Sequence, residues 1–255
     1  MVRGVDNFRS FFKDFTDNYI LIGGAACDEH FTEAGLTFRA TKDLDIILIV
    51  EALNADFVKN FWEFVKQGEY EKQQKSSGDR KYYHFSKPNN EHYPFQLELF
   101  ARNPDLLELA EGSRLTPIPA DEDLSSLSAI LLNEDYYNFT MQQSIILNNL
   151  HLAKPNALIC LKAKAFIDLR TRKDKGEHID EKVIRKHFND VIRLAALLTA
   201  EKSAPLSHSI DRDMHNFMGL FEAEQPDYKT IGKTMGIPNL TGSLIIERIN
   251  QIYSL

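Results

Sequence analysis

Apolar positions fall into two regimes along the chain. Up to about residue 118, short apolar runs of strand length alternate with helix-spaced stretches; beyond it the apolar residues recur every three or four positions. Phe8, Phe11, Phe12 and Phe15 predict an amphipathic helix over 5–15 with an aromatic inner face. Tyr19-Ile20-Leu21-Ile22 is a continuous apolar run that ends in Gly23-Gly24, and a helix-like stretch over 25–34 follows, closed by Gly35. Leu44, Ile46, Leu48 and Val50 on one parity, with Ile47 and Ile49 on the other, predict a strand covered on both faces. A helix over 54–67 comes next, with Asn54 as its N-cap and Phe57, Val58, Phe61, Trp62 and Val65 turned inward. Strand-like alternation returns at 81–85 and 93–100. In the second of these Phe95, Leu97 and Leu99 share one face, and Gln96 and Glu98 the other.

The proline-punctuated segment Thr116-Pro117-Ile118-Pro119 marks a link, with a domain boundary between 118 and 119. Every later segment reads as helical. Asp123 caps a helix over 124–132 with Ser125, Ser126 and Ser128 on one side; further helices are expected over 155–170, 181–198 (capped by Asp180), 214–221, 228–235 and 242–252. The expected fold class is therefore α+β: a mixed sheet with helices in 1–118 and a helical bundle in 119–255. Within that bundle Lys162 lies on the apolar stripe of Ile159 and Phe166, where a lysine either snorkels to water or points at a ligand. Lys164 reads as an ion pair with Asp168. Lys186, Asp190 and Arg193 share a helix side, as an ion-pair ladder or as part of a site. Arg170, Arg172, Lys173 and Lys175 form a basic cluster that is solvent-facing or contacts RNA, and Asp211 and Asp213 read as surface.

Composition narrows the class. The 255 residues are 43% apolar with a net charge of −7, as expected of a globular protein with a substantial core. No run reaches the roughly 20 apolar residues of a spanning helix, and 1–17 lacks a signal-like apolar region, so a cytoplasmic protein without membrane association is expected. Cys27 and Cys160 show no metal-ligand spacing and read as buried thiols. The acidic balance argues against a broad nucleic-acid surface while permitting a local basic cleft.

Candidate chemistry concentrates between 19 and 50. Asp43 and Asp45 are two apart, so on a strand both carboxylates leave one face, close enough to share divalent cations. Gly23-Gly24, between a strand and a helix, exposes backbone N–H groups to which a phosphate can bind. Arg39 and Thr41 stand just ahead of the acidic pair, where a cation steadies a carboxylate or touches a phosphate, or where Arg39 is simply an exposed residue at a strand start. Glu98, an acid in an apolar strand, is either the wet face of an edge strand or a third carboxylate beside the pair.

Gly-Gly followed, across a helix, by Asp-x-Asp resembles the signature of the nucleotidyltransferase superfamily. With Arg39-Ala40-Thr41-Lys42-Asp43-Leu44-Asp45, Glu98-Leu99-Phe100, Ser126-Leu127-Ser128-Ala129-Ile130-Leu131-Leu132, Leu161-Lys162-Ala163-Lys164-Ala165 and Lys186-His187-Phe188-Asn189-Asp190-Val191, the chain resembles the AbiEii family of abortive-infection toxins. The resemblance implies Mg²⁺ (or Mn²⁺) held by Asp43, Asp45 and Glu98, with Glu98 also serving the acceptor hydroxyl. It further implies a nucleoside triphosphate contacted by Gly23, Gly24, Arg39, Thr41, Lys162 and Asp190, and a helical domain closing over the nucleotide. Gly24 stands where many relatives have serine. The implied activity moves a nucleotide to a tRNA 3′ end or a protein hydroxyl, with a separately encoded antitoxin as antidote. Two alternatives are an antibiotic-type transferase acting on a small molecule and a nucleotide-binding module without turnover.

Overall fold

A computed structural model describes residues 2–49, 52–76, 81–101, 116–118, 130, 133–198, 204–221 and 223–255. The serine-bearing segment expected over 124–132 lies outside the described residues except for Ile130, as does Val50.

The chain opens with α1 (Val5–Phe12), which tightens into a 3-10 stretch over Lys13–Asn18 instead of running as one helix to 15. Then come β1 (Tyr19–Ile22), α2 (Gly23–Glu33), β2 (Asp43–Leu48), α3 (Ala55–Gly68), β3 (Tyr70–Ser76), β4 (Lys81–Pro88), β5 (Gln96–Ala101) and β6 (Thr116–Ile118). Asn54 caps α3 as expected, its side-chain oxygen accepting from the Phe57 N–H at 2.9 Å. After α4 (Glu134–Gln142) the chain forms β7 (Ser144–Leu147) and β8 (Leu150–Ala153), followed by α5 (Pro155–Asp174), α6 (Glu181–Ala195), α7 (His208–Phe221), α8 (Tyr228–Met235) and α9 (Gly242–Tyr253).

The β7–β8 hairpin corrects the expectation that everything beyond 118 is helical. Asn148 and Asn149 adopt φ of 49° and 60°, the left-handed pair that a two-residue hairpin turn requires and that asparagine tolerates. Ile145 then pairs with Leu152, and Ile146 with His151.

The strands form one mixed sheet in the order β6-β3-β4-β5-β2-β1-β8-β7. β2 lies near its middle, antiparallel to β1 and parallel to β5. The chain divides into two compact units: Met1–Glu29, Ala40–Ser128 and Ser144–Ala153 make the first, and His30–Arg39, Ala129–Gln143 and Lys154–Leu255 the second. Two segments depart from a plain N-terminal and C-terminal division, because residues 30–39 group with the helices and the hairpin groups with the sheet. The architecture is α+β, as expected.

Alternation sorts the sheet into an apolar face and a partly polar one. Tyr19, Leu21, Leu44, Ile46, Leu97, Leu99, Tyr83 and Phe85 share the apolar face and are buried. The aromatic residues of α1 and α3 pack there, Phe8 at 5.2 Å from Tyr19 and Phe61 at 5.6 Å from Phe85 between ring centroids. The second unit has its own aromatic centre, in which Phe166, Phe188 and Phe217 meet at 5.1–5.6 Å.

Candidate functional site

In the first unit, β2 and β5 run parallel with Asp43 opposite Gln96 and Asp45 opposite Glu98. Residues directly opposite project from the same face of a sheet, and neighbouring strands are about 4.8 Å apart. Asp43, Asp45, Gln96 and Glu98 therefore occupy the four corners of one small patch. β4 extends it, since Ser86 stands opposite Gln96 and His84 opposite Glu98. All three carboxylates are half-buried, on strands whose residues Leu44, Ile46, Ile47, Leu48, Leu97, Leu99 and Phe100 are apolar and buried. Gln96 Nε2 donates a hydrogen bond to Glu98 Oε1.

The two glycines belong to this patch through space. Helix α2 starts at Gly23 itself, two residues earlier than the spacing indicated. Gly23 has φ of 65°, and a Cβ there would lie 1.6 Å from Asp45 Oδ2. At Gly24 a Cβ would come within 2.5 Å of Thr41 Oγ1. Any larger residue at 23 would collide with the Asp45 carboxylate, so the glycine and the aspartate are coupled choices. A serine side chain at 24 would collide with Thr41, which fits the glycine standing there.

Among the described residues, no group of three or more His, Cys, Asp or Glu side chains is arranged to hold a metal ion. The donor chemistry of the patch nevertheless suits a hard divalent cation, which takes oxygen ligands from carboxylates. Asp43 and Asp45 supply two on one strand face, and Glu98, tied to Gln96, stands in register beside them.

The second unit brings three other expected residues together. Asp190 has 0% exposure and is gripped by Arg39, whose Nε and Nη2 donate to the two carboxylate oxygens at 2.8 and 2.7 Å. Lys162 Nζ lies 3.6 Å from Oδ2 and Arg193 Nη1 lies 3.4 Å from Oδ1. Burial alone would raise the Asp190 pKa; the Arg39 hydrogen bonds and the charges of Lys162, Arg39 and Arg193 override it and hold the carboxyl below its ordinary value. The lysine on the apolar stripe of α5 thus has its reason: at 8% exposure it is partnered by a buried carboxylate. One turn earlier on α6, burial first and the Lys162 charge second push His187 down to about 3, so its ring is neutral at neutral pH. His187 Nδ1 has no hydrogen-bond partner among the described residues.

One sequence reading in this unit changes. Asp213 is buried rather than at the surface, accepting a hydrogen bond from Tyr136 Oη at 3.0 Å and lying 3.2 Å from Lys164 Nζ. Lys164 also keeps its expected Asp168 partner at 3.2 Å. In the basic cluster Arg170 pairs with Glu224, Arg172 with Glu177 and Lys173 with Glu181. Cys27 and Cys160 are buried thiols, as expected. Gln96, His84 and His187 were not singled out from the sequence. For Gln96 the parity shared with Glu98 was a usable signal; His84 needed the strand register, which no single strand contains.

No protein-family model matches the chain, and no curated protein matches it. Among solved structures, the crystal structure of an antigenic nucleotidyltransferase-like protein from Paracoccidioides brasiliensis aligns with 96% of this chain and 99% of its own, at 14% identity and a TM-score of 0.40. That likeness is too distant to transfer a fold or an activity. Fold and site by themselves define an α+β protein whose central sheet carries three carboxylates in register beside a glycine-opened helix start. No helix among the described residues is long and apolar enough to cross a membrane.

Proposed function

We propose that the chain is a metal-dependent nucleotidyltransferase that moves a nucleoside monophosphate from a triphosphate to an acceptor hydroxyl. One observation carries the reading: Asp43, Asp45 and Glu98 share one sheet face in adjacent register, with Gly23 fitted against Asp45 at the start of α2. Asp43 and Asp45 would hold Mg²⁺ or Mn²⁺, which when bound neutralises triphosphate charge and assists departure of pyrophosphate. Glu98 accepts the proton of the attacking hydroxyl; the new bond joins that oxygen to the α-phosphorus, and the bond to the pyrophosphate oxygen breaks in line. Gly23 and Gly24 offer backbone N–H groups to the phosphates, with Thr41 packed behind them. Arg39 and Lys162 are proposed as phosphate contacts, and Asp190 as the buried carboxylate that holds both in place.

The resemblance to the AbiEii family extends the proposal to a growth-arresting toxin acting in the cytoplasm on a tRNA 3′ end or a protein, opposed by an antitoxin. Transfer to a small cationic acceptor is a second reading. It is favoured by the basic cluster at 170–175, where three of four side chains are paired with acids.

The test is a transfer assay with each α-labelled nucleoside triphosphate, Mg²⁺ and total cellular RNA plus protein, comparing the wild type with Asp45→Asn. Label entering RNA or protein, reduced at least about 100-fold in the variant, supports the transferase and identifies the acceptor class. Nucleotide binding with no transfer to RNA, protein or an aminoglycoside would leave a binding module instead.

A further inference from the structure

The patch on β2 and β5 contains one residue that the proposed chemistry does not use. Three of its four corners are carboxylates, which repel one another when no cation lies between them, and the fourth is the amide of Gln96. That amide is opposite Asp43 across the strand pair and two residues from Glu98 on the same face. Its Nε2 donates to Glu98 Oε1. A donor on one carboxylate oxygen removes rotational freedom from a side chain with three rotatable bonds. Leu97 and Leu99, fully buried on the opposite face, fix β5 beneath it, so the amide acts from a rigid base.

We propose that Gln96 is the positioning residue for Glu98, orienting its carboxylate toward the Asp43 and Asp45 side of the patch so that it can join them around a divalent cation. The inference rests on the nucleotidyltransferase reading and goes beyond it, because it assigns an outer partner to the third carboxylate. Ligating carboxylates are themselves hydrogen-bonded, and loss of such a partner typically costs about 10–100-fold in metal affinity.

The experiment uses the full-length protein without nucleotide and follows Mn²⁺ binding by electron paramagnetic resonance and calorimetry. It compares the wild type with Gln96→Met, which keeps length and loses the donor, and with Gln96→Ala as a second variant should Met repack the strand. Melting temperatures without metal are recorded alongside. About tenfold weaker Mn²⁺ binding in the Gln96 variants, with the metal-free melting temperature held, and no further loss when Gln96→Met is added to Glu98→Gln, is the expected result. Unchanged Mn²⁺ affinity in a variant that folds, or a fall in melting temperature alone, overturns the role of Gln96 and leaves the transferase reading standing. A wild type that binds no Mn²⁺ overturns both.

Discussion

Gly23 and Asp190 each show how one residue is constrained by what it touches. At Gly23 the left-handed φ and the Asp45 carboxylate together exclude a side chain, so Gly23→Ala pushes against one of the acids of the patch. The expected cost is about 1–3 kcal/mol, read by chemical denaturation, with transfer activity falling further than stability accounts for. Asp190 is the reverse case, a buried charge kept ionised by its neighbours. Asp190→Asn leaves Arg39 and Lys162 facing a neutral amide, and a loss of about 3–5 kcal/mol is expected in the same measurement. Lys162→Met, which removes a cation 3.6 Å away and keeps the bidentate Arg39 pair, should cost much less.

Elements with a strong local pattern were legible in the sequence, and those defined by partners were not. Asn54 and Asp180 act as the caps their positions indicate, and β2 is buried on both faces over Ile46-Ile47-Leu48, as its double parity requires. The carboxylates of β2 and β5 could be placed on faces from alternation alone. Their mutual register could not, because β2 pairs with β5 across an intervening helix and two strands. The β7–β8 hairpin was missed because Ser144-Ile145-Ile146-Leu147 is as apolar as a helix stripe and only four residues long. The usable signal was the turn: Asn148-Asn149 takes up the conformation that Asn-Gly adopts most easily. Asn149→Gly is therefore expected to stabilise the protein slightly, and Asn149→Ala to cost about 1 kcal/mol, in parallel thermal melts.

Taken whole, the molecule does not divide at a single point in its sequence. The sheet of the first unit needs the hairpin from 144–153, because β8 covers the edge of β1 that β2 leaves open. A fragment ending at 118 keeps all three carboxylates yet exposes the backbone of β1 as an edge, so it should aggregate or lose its cooperative melt. A fragment ending at 153 should recover part of both, as measured by light scattering and circular dichroism. The pairing of Leu21 with Leu152 also has a meaning in time. On a ribosome, Asp43, Asp45 and Glu98 are made before the strand that completes their sheet, and at about 5–20 residues per second the interval is on the order of several seconds. During that interval the nascent chain carries the acids without the finished support beneath them, so the completed patch is acquired late in synthesis.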